Sequence, residues 1–479
     1  MAMKRNIQRR QFLSALAGTA ATMPLACMTG GRAVRRDRPN VVFVFADQWR
    51  AQATGYAGDP NVRTPHLDRL ASESVHFTHA VSCCPVCSPY RASLITGCYS
   101  LTHGVFLNDV CLGTAQTSIA EAFAQAGYRT AYIGKWHLDG HGRSNYIPPE
   151  RRHGFQFWRG QECTHDYNHS RYYADENTTP RIWDGYDAMA QTREAIRYLA
   201  EETRREAFAL FLSWGPPHNP YETAPAEFRR LYDPRALVLR PNVPPGMAEE
   251  ARRDLAGYYA HCSALDACIG ELLGALREQG LAENTLFVFT SDHGDMLGSH
   301  GERRKQRPWD ESIRVPFLLR YPSRLKPGRV QVPINTPDIM PTLLDLCGID
   351  IPRTVEGRSL LGHLNEPPTE ADGALIACYA PFGEWTRKQG GREYRGVRTN
   401  RYTYVRGIDG PWLLFDNERD PFQMKNLCGR TEHAALQARL EAVLRRKLEE
   451  TRDEFCPAET YVRRWNYLTD ETGTVPYKP

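Results

Sequence analysis

The sequence predicts an α/β protein: a mostly parallel sheet flanked by helices, with a smaller C-terminal subdomain of antiparallel sheet plus helix. Three observations carry that expectation. Short apolar runs alternate with helix-period segments from Asn40 onward, several of those runs lead straight into polar residues, and after about Ala371 the pattern changes to short β-like runs in succession.

The apolar runs and helical patterns come in order as VVFVFAD, Ser118 to Ala126, RTAYIG, Met189 to Arg205, AFALFLSW, Ala251 to Gln279 and TLFVFTSD. This is the rhythm of a parallel sheet covered by helices. The polar residues that follow are Asp47 and Gln48, Lys135 through His137, His218 shortly after Trp214, and Asp292 with His293. Ligand sites in open α/β sheets gather at strand C-terminal ends, so residues far apart in sequence can converge there. Beyond Ala371 come LIACY, YRGVRT, RYTYVR and WLLFD, then a helical stretch from Ala434 to Leu448. The expected organisation is a leader and linker over 1–36, an α/β domain over 37–370 and an α+β subdomain over 371–479. Between Pro148 and Pro180 the chain is polar, aromatic and without periodicity, and reads as a long loop that shapes a pocket or as a solvent-facing insertion.

At 479 residues the chain can bury a sizeable core without staples. A hydrophobic fraction of 41% and a charged fraction of 24% are those of an ordinary globular protein, and no stretch approaches the roughly 20 apolar residues of a membrane span. The formal charge is +4, and four of the basic residues, Lys4, Arg5, Arg9 and Arg10, lie in the leader, so the remainder is close to neutral. That balance argues against nucleic acid as a partner. The 13 cysteines are too dilute for a disulfide scaffold.

The basic start and the apolar run from Phe12 to Ala26 read as an export leader, and Arg9 through Leu13 resembles a twin-arginine signal. The expected location is periplasmic or extracellular. Leu25, Ala26 and Cys27 suggest lipoprotein processing, with Cys27 as the site of a lipid anchor.

Asp47, Gln48, Asp292 and His293 offer hard oxygen ligands together with an amide or imidazole, the mix suited to Ca²⁺ or Mg²⁺ rather than to a thiolate-rich zinc site. Arg91, Lys135, His137, His218 and Lys305 are cationic or can become so, and a tetrahedral anion wants such a cluster. Cys84 through Cys87 form a CxxC. No second CxxC and no thioredoxin-like context accompany it, so a redox or zinc role is disfavoured, and Cys83, Cys84 and Cys98 read as packing residues.

The segment CSPYRASLITG, Cys87 to Gly97, closely resembles the type I sulfatase signature, in which Cys87, Pro89 and Arg91 direct oxidation of the cysteine to formylglycine (3-oxoalanine). The family usually has Ser where Tyr90 stands. FADQ, GKWH, GPPHNPY, SDHGDMLGSHG and KQRPWDES extend the resemblance in the family's order. It implies an alkaline-phosphatase-like fold, a formylglycine-generating maturation enzyme as partner, and one divalent metal held by Asp47, Gln48, residue 87, Asp292 and His293. Many members carry Asp at position 48 and Asn or Gln at 293, so Gln48 and His293 stand as substitutes for those ligands, His293 being the softer of the two, and Ca²⁺ or Mg²⁺ remains the expected ion.

The resemblance further implies that Arg91, Lys135, His137, His218 and Lys305 line a sulfate pocket. A hydrated aldehyde at 87 would attack sulfur in line. His218 with Lys305 would protonate the leaving oxygen, and His137, positioned by Lys135, would deprotonate the second hydroxyl to expel sulfate. Asp295, His300 and Asp310 fall in matched segments and are read as bracing or helix-capping residues, His103 and Trp136 as structural. GKWHLDGHGR, IPPERRHGF and GPPHNPY look like bacterial carbohydrate sulfatases, with the 6-sulfate of N-acetylglucosamine as the first candidate substrate. The stretch Glu162 to Tyr173 and Trp385 are read as sugar-stacking or core residues. Phosphonate monoester or phosphodiester hydrolysis on the same frame is the competing reaction, and a non-catalytic glycan-binding relative the remoter one.

Overall fold

The computed structural model describes residues 38–202, 206–369 and 372–477. The expected leader and the Cys27 anchor lie outside the described residues. From Arg38 on, the chain clusters into one compact unit.

Its frame is a ten-stranded sheet. At the centre Thr285–Ser291, Asn40–Asp47, Phe208–Pro217, Arg129–Lys135 and Phe157–Gln161 run parallel in that spatial order. Both faces of these strands are covered, which is why they read as unbroken apolar runs. Along Asn40–Asp47 the side chains alternate: Val41, Phe43 and Phe45 join one apolar cluster, Val42, Val44 and Ala46 the other. The second cluster takes in Ala195, Tyr198 and Leu199 of helix Asp187–Glu202 and many residues of helix Ala248–Glu278. The first takes in helices Cys87–Thr96, Ile119–Gln125 and Thr336–Leu346. Helix Ile119–Gln125 starts where expected because Ser118 and Glu121 form a capping box.

Antiparallel pairings flank the parallel core on both sides. Phe317–Arg320 pairs with Thr285–Ser291 on one side, and Arg171–Ala174 followed by Asn177–Ile182 extends the other. The span 148–180 is therefore not one long loop, because three strands of the main sheet begin in it. The four-stranded antiparallel sheet of Ala374–Cys378, Tyr394–Arg398, Tyr402–Gly407 and Gly410–Asp416 is the expected C-terminal element, with helix Ala434–Glu450 against it. Leu375, Ala377, Val397, Tyr404 and Leu414 join the same core as Val41 and Phe43, so this sheet packs directly on the main body.

Candidate active site

Parallel strands place their C-terminal ends on one edge of the sheet, and there Asp47, Lys135, Ser291 and Pro217 end the four central strands side by side. Gly134 makes the approach close: a Cβ on it would lie 2.0 Å from the Ser213 carbonyl, and its φ is +107°. The chain just past these ends is strained. Gln48, Asp109, His137, Arg304 and Gln306 all hold left-handed backbone, a conformation costing about 1–3 kcal/mol for a non-glycine residue and kept only where surroundings enforce it. At Gln48 the enforcement is visible: its N–H donates to Asp292 Oδ1 at 2.9 Å, and its carbonyl accepts from the Tyr258 hydroxyl at 2.9 Å.

Cys87 opens helix Cys87–Thr96, and its Sγ lies 3.3 Å from His293 Nε2, 3.3 Å from Lys305 Nζ and 3.6 Å from Asp47 Oδ1. Burial, then the Asp47 charge, push its thiol up to about 12, so an unmodified Cys87 is protonated and a poor nucleophile. One turn further on, Arg91 spends its guanidinium behind the site. Its two Nη groups donate to Asp47 Oδ2 and Asp292 Oδ2 at 3.2 Å each, and to Ser213 Oγ and the Lys135 carbonyl at 2.7 Å each. Arg91 therefore braces the two carboxylates and does not line the cavity.

The four side chains expected to hold a metal are wholly buried. Asp47, Gln48, Asp292 and His293 are all 0% exposed. Lys135 Nζ donates to Asp47 Oδ2 at 2.6 Å. Burial works against the Asp47 carboxylate, but Lys135, His218, Arg91 and Lys305 outweigh it and hold it well below the usual range, whereas burial and the Asp47 charge push Asp292 up. His293 donates from Nδ1 to the Gly294 carbonyl at 3.0 Å, which leaves Nε2 as an acceptor facing Cys87 Sγ at 3.3 Å and 3.6 Å from an oxygen of each carboxylate. Ligand atoms of Asp47, Cys87, Asp292 and His293 lie within 4.8 Å of one another. Two carboxylates facing an imidazole nitrogen with a free lone pair fit a divalent cation. Gln48 turns its amide nitrogen to Asp295 Oδ2 at 2.6 Å, so its Oε1 faces Lys305 at 3.2 Å, on the ligand side.

In front of this floor is a cavity of about 320 Å³ lined by Cys87, Lys135, His137, His218 and Lys305 among others. Lys305 Nζ donates to His218 Nε2 at 2.8 Å, and His218 Nδ1 donates to the Asn219 carbonyl at 2.8 Å. Burial, reinforced by Lys305, holds His218 well below the ordinary imidazole range, so Lys305 carries the proton of this pair. His137 turns Nε2 to Asp109 Oδ1 at 3.4 Å and leaves Nδ1 buried with no partner. Its partner is thus Asp109 rather than Lys135, which is committed to Asp47.

Every residue expected at the site comes to this edge, Arg91 from behind. Sequence reasoning missed Asp109, which Arg143 grips through two hydrogen bonds at 2.8 Å; His165, from the stretch expected to shape a pocket, lines the cavity and stacks on His218 at 4.5 Å. Sequence reasoning also missed Glu384 and Tyr477, which line the same cavity from the C-terminal part of the chain. Asp295 braces Gln48 as expected, and Asp310 pairs with Arg398 at 2.9 and 3.0 Å at the start of helix Asp310–Ile313. His103 and Trp136 are buried structural residues. Glu162 accepts the backbone N–H groups of Leu138, Asp139 and Gly140, holding the turn after His137. Tyr167 and Trp385 are core residues at 0% and 2% exposure, and neither lines the cavity. Cys83, Cys84 and Cys98 are free and buried.

Comparison with known proteins follows the same lines. The sulfatase family model matches residues 39–349, and the model for the C-terminal region of N-sulphoglucosamine sulphohydrolase matches 298–452. An ulvan-active sulfatase of Formosa agariphila is 47% identical, over 92% of this chain and 87% of its own. An N-acetylglucosamine-6-O-sulfatase of Bacteroides thetaiotaomicron is 27% identical, over 91% and 90%. A solved structure described under glycosaminoglycan metabolism by Bacteroides thetaiotaomicron superposes with a TM-score of 0.80 at 29% identity, covering 92% of this chain and all of the other.

Proposed function

The chain belongs to the sulfatase family, and on that premise we propose that it desulfates a polysaccharide or its fragments through an oxidised residue 87 and one divalent cation. The reading rests on one observation above others: Cys87 Sγ lies within 3.6 Å of an acid, an imidazole and an ammonium at the floor of a cationic cavity.

Asp47, Gln48, Asp292 and His293 would hold the cation, Ca²⁺ or Mg²⁺, which supplies fixed positive charge beside residue 87. Converted to formylglycine by a maturation enzyme and hydrated, residue 87 would supply one hydroxyl that, deprotonated, attacks sulfur as the bond from sulfur to the sugar oxygen breaks, and a second whose deprotonation re-forms the aldehyde as the carbon–oxygen bond to sulfate breaks. The remaining work falls to the chain's own side chains. Lys135 and Lys305 neutralise the sulfuryl oxygens, and Arg91 keeps the two carboxylates oriented. The proton for the departing alcohol oxygen comes from the Lys305–His218 pair, in which Lys305 holds it in the free enzyme. His137, neutral and with Nδ1 free, takes the proton of the second hydroxyl, while Asp109 holds the opposite ring nitrogen.

For substrate we take ulvan fragments ahead of N-acetylglucosamine 6-sulfate, because the ulvan-active relative is far more similar than the N-acetylglucosamine-6-O-sulfatase. A polysaccharide substrate also suits the export leader expected from the sequence, and among the described residues no helix is long and apolar enough to cross a membrane.

The test is the mass of the proteolytic peptide spanning residue 87, from a host that modifies a control sulfatase, with rates on aryl sulfate and aryl phosphonate. Aldehyde in place of thiol with aryl sulfate preferred supports the reading. An active enzyme whose Cys87 is still alkylatable refutes the nucleophile, and a preference for aryl phosphonate refutes the substrate class.

A further inference from the structure

Asp47 and Asp292 lie at the floor of the site and Asp109 on its wall, while Lys135, Arg143 and Lys305 make the rest of the lining cationic. Glu384 is the exception on the C-terminal side of the cavity. Its side chain is 36% exposed, but the Oε2 atom is buried without a hydrogen-bond partner and meets Lys305 Nζ only as an ion pair at 3.8 Å, beyond hydrogen-bond distance. A buried carboxylate oxygen left without a donor is costly, and the cost is removed when a donor arrives. The carboxylate is also held in place. It sits on the turn Gly383–Trp385, which is pinned by the buried Trp385 indole and by Arg307 Nη2 donating to the Glu384 carbonyl at 3.2 Å. Arg304 Nε flanks its other oxygen at 3.7 Å.

Lys305 Nζ is 3.3 Å from Cys87 Sγ, so a sulfate ester placed for attack at residue 87 brings the group it is attached to beside Glu384. The cavity, about 320 Å³, is at the lower end of the roughly 300–1,000 Å³ of small-molecule sites, so that group is held close to the wall. An ionised carboxylate only accepts hydrogen bonds, and what a sugar offers next to its sulfated carbon is a hydroxyl donor. We infer that Glu384 accepts a hydrogen bond from a ring hydroxyl adjacent to the sulfate ester, and so makes the enzyme prefer polyhydroxylated over aromatic sulfate esters. This rests on the sulfatase reading above.

The experiment compares Glu384→Ala and Glu384→Gln with the wild type on ulvan oligosaccharides and on 4-nitrophenyl sulfate, which has no hydroxyl to donate. Loss of a hydrogen bond to a charged group predicts a fall in kcat/KM of about 10- to 100-fold on the oligosaccharide for Glu384→Ala, against less than about threefold on the aryl ester. Glu384→Gln, which keeps an acceptor oxygen, falls in between. Equal losses on both substrates overturn the inference, because Glu384 would then act through Lys305, and so do unchanged rates on both. A wild type that hydrolyses 4-nitrophenyl sulfate but no ulvan oligosaccharide refutes the substrate reading, and this inference with it.

Discussion

Arg91 offers the sharpest test of how the site is held together. Its guanidinium bridges two carboxylates that are 0% exposed, at 3.2 Å each, and ties both to strand Phe208–Pro217 through Ser213. Removing one partner of a buried ion pair leaves uncompensated charge and costs about 3–5 kcal/mol. Arg91 also belongs to the motif that would direct oxidation of Cys87, so the comparison belongs in a Cys87→Ala background, where maturation plays no part. At roughly 1 °C per kcal/mol for a chain of this length, Arg91→Met should lower Tm by about 3–5 °C. Arg91→Lys should lose less, since an ammonium keeps the charge but cannot reach both acids, Ser213 and the Lys135 carbonyl together. Both carboxylates gain negative field when Arg91 is removed, so added Ca²⁺ should raise Tm more in Arg91→Met than in its parent. Thermal unfolding with and without Ca²⁺ measures both effects. A Tm within about 1 °C of the parent would refute the assignment of Arg91 as the brace of Asp47 and Asp292.

Chelation should abolish turnover and lower Tm, with Ca²⁺ or Mg²⁺ restoring both; at 100 times its Kd the ion contributes about 2.7 kcal/mol, and full activity after exhaustive chelation would exclude the site at Asp47 and Asp292. Burial holds His137 below its ordinary 6.5, so the acid limb of kcat lies below that pH, and Asp109→Asn should move it lower still because the carboxylate favours the imidazolium. A pH–rate profile identical to the wild type would show that Asp109 does not act on His137. Asp187, wholly buried, is pushed up from 3.8 to about 7 by burial. Its contribution to stability is complete below 3.8 and lost as pH rises through about 7; at ~1.4 kcal/mol per pH unit the loss is bounded near 4 kcal/mol. Asp187→Asn should flatten the fall in Tm between pH 5 and 8.5, and parallel Tm profiles would contradict the protonated carboxyl.

The parallel strands were legible because a strand buried on both faces must be apolar throughout, as in Val41 to Ala46 and Phe208 to Leu212. The edge strand Asn177–Ile182 has every residue exposed, so nothing in its composition separates it from a loop. The motif residues of the site were legible because several short segments kept their order. Asp109 was not, since it reaches His137 only through tertiary structure and sits in a stretch with no periodicity. Trp385 was ambiguous for a similar reason: an isolated aromatic beside a β-like run looks the same whether it faces a sugar or, as here, supports the turn that presents Glu384.

All ten residues of helix Cys87–Thr96 are buried, Pro89 and Arg91 included. An oxidising enzyme that reads Cys87, Pro89 and Arg91 can grip them only while that segment is still extended and undocked. On the proposed conversion of Cys87, maturation and folding would run as a race on each newly made chain, and a molecule that folded first would be sealed with its thiol intact. The specific activity of a preparation would thus record how fast the maturation enzyme met the chain, and folded thiol-form molecules could be recovered only by unfolding them first.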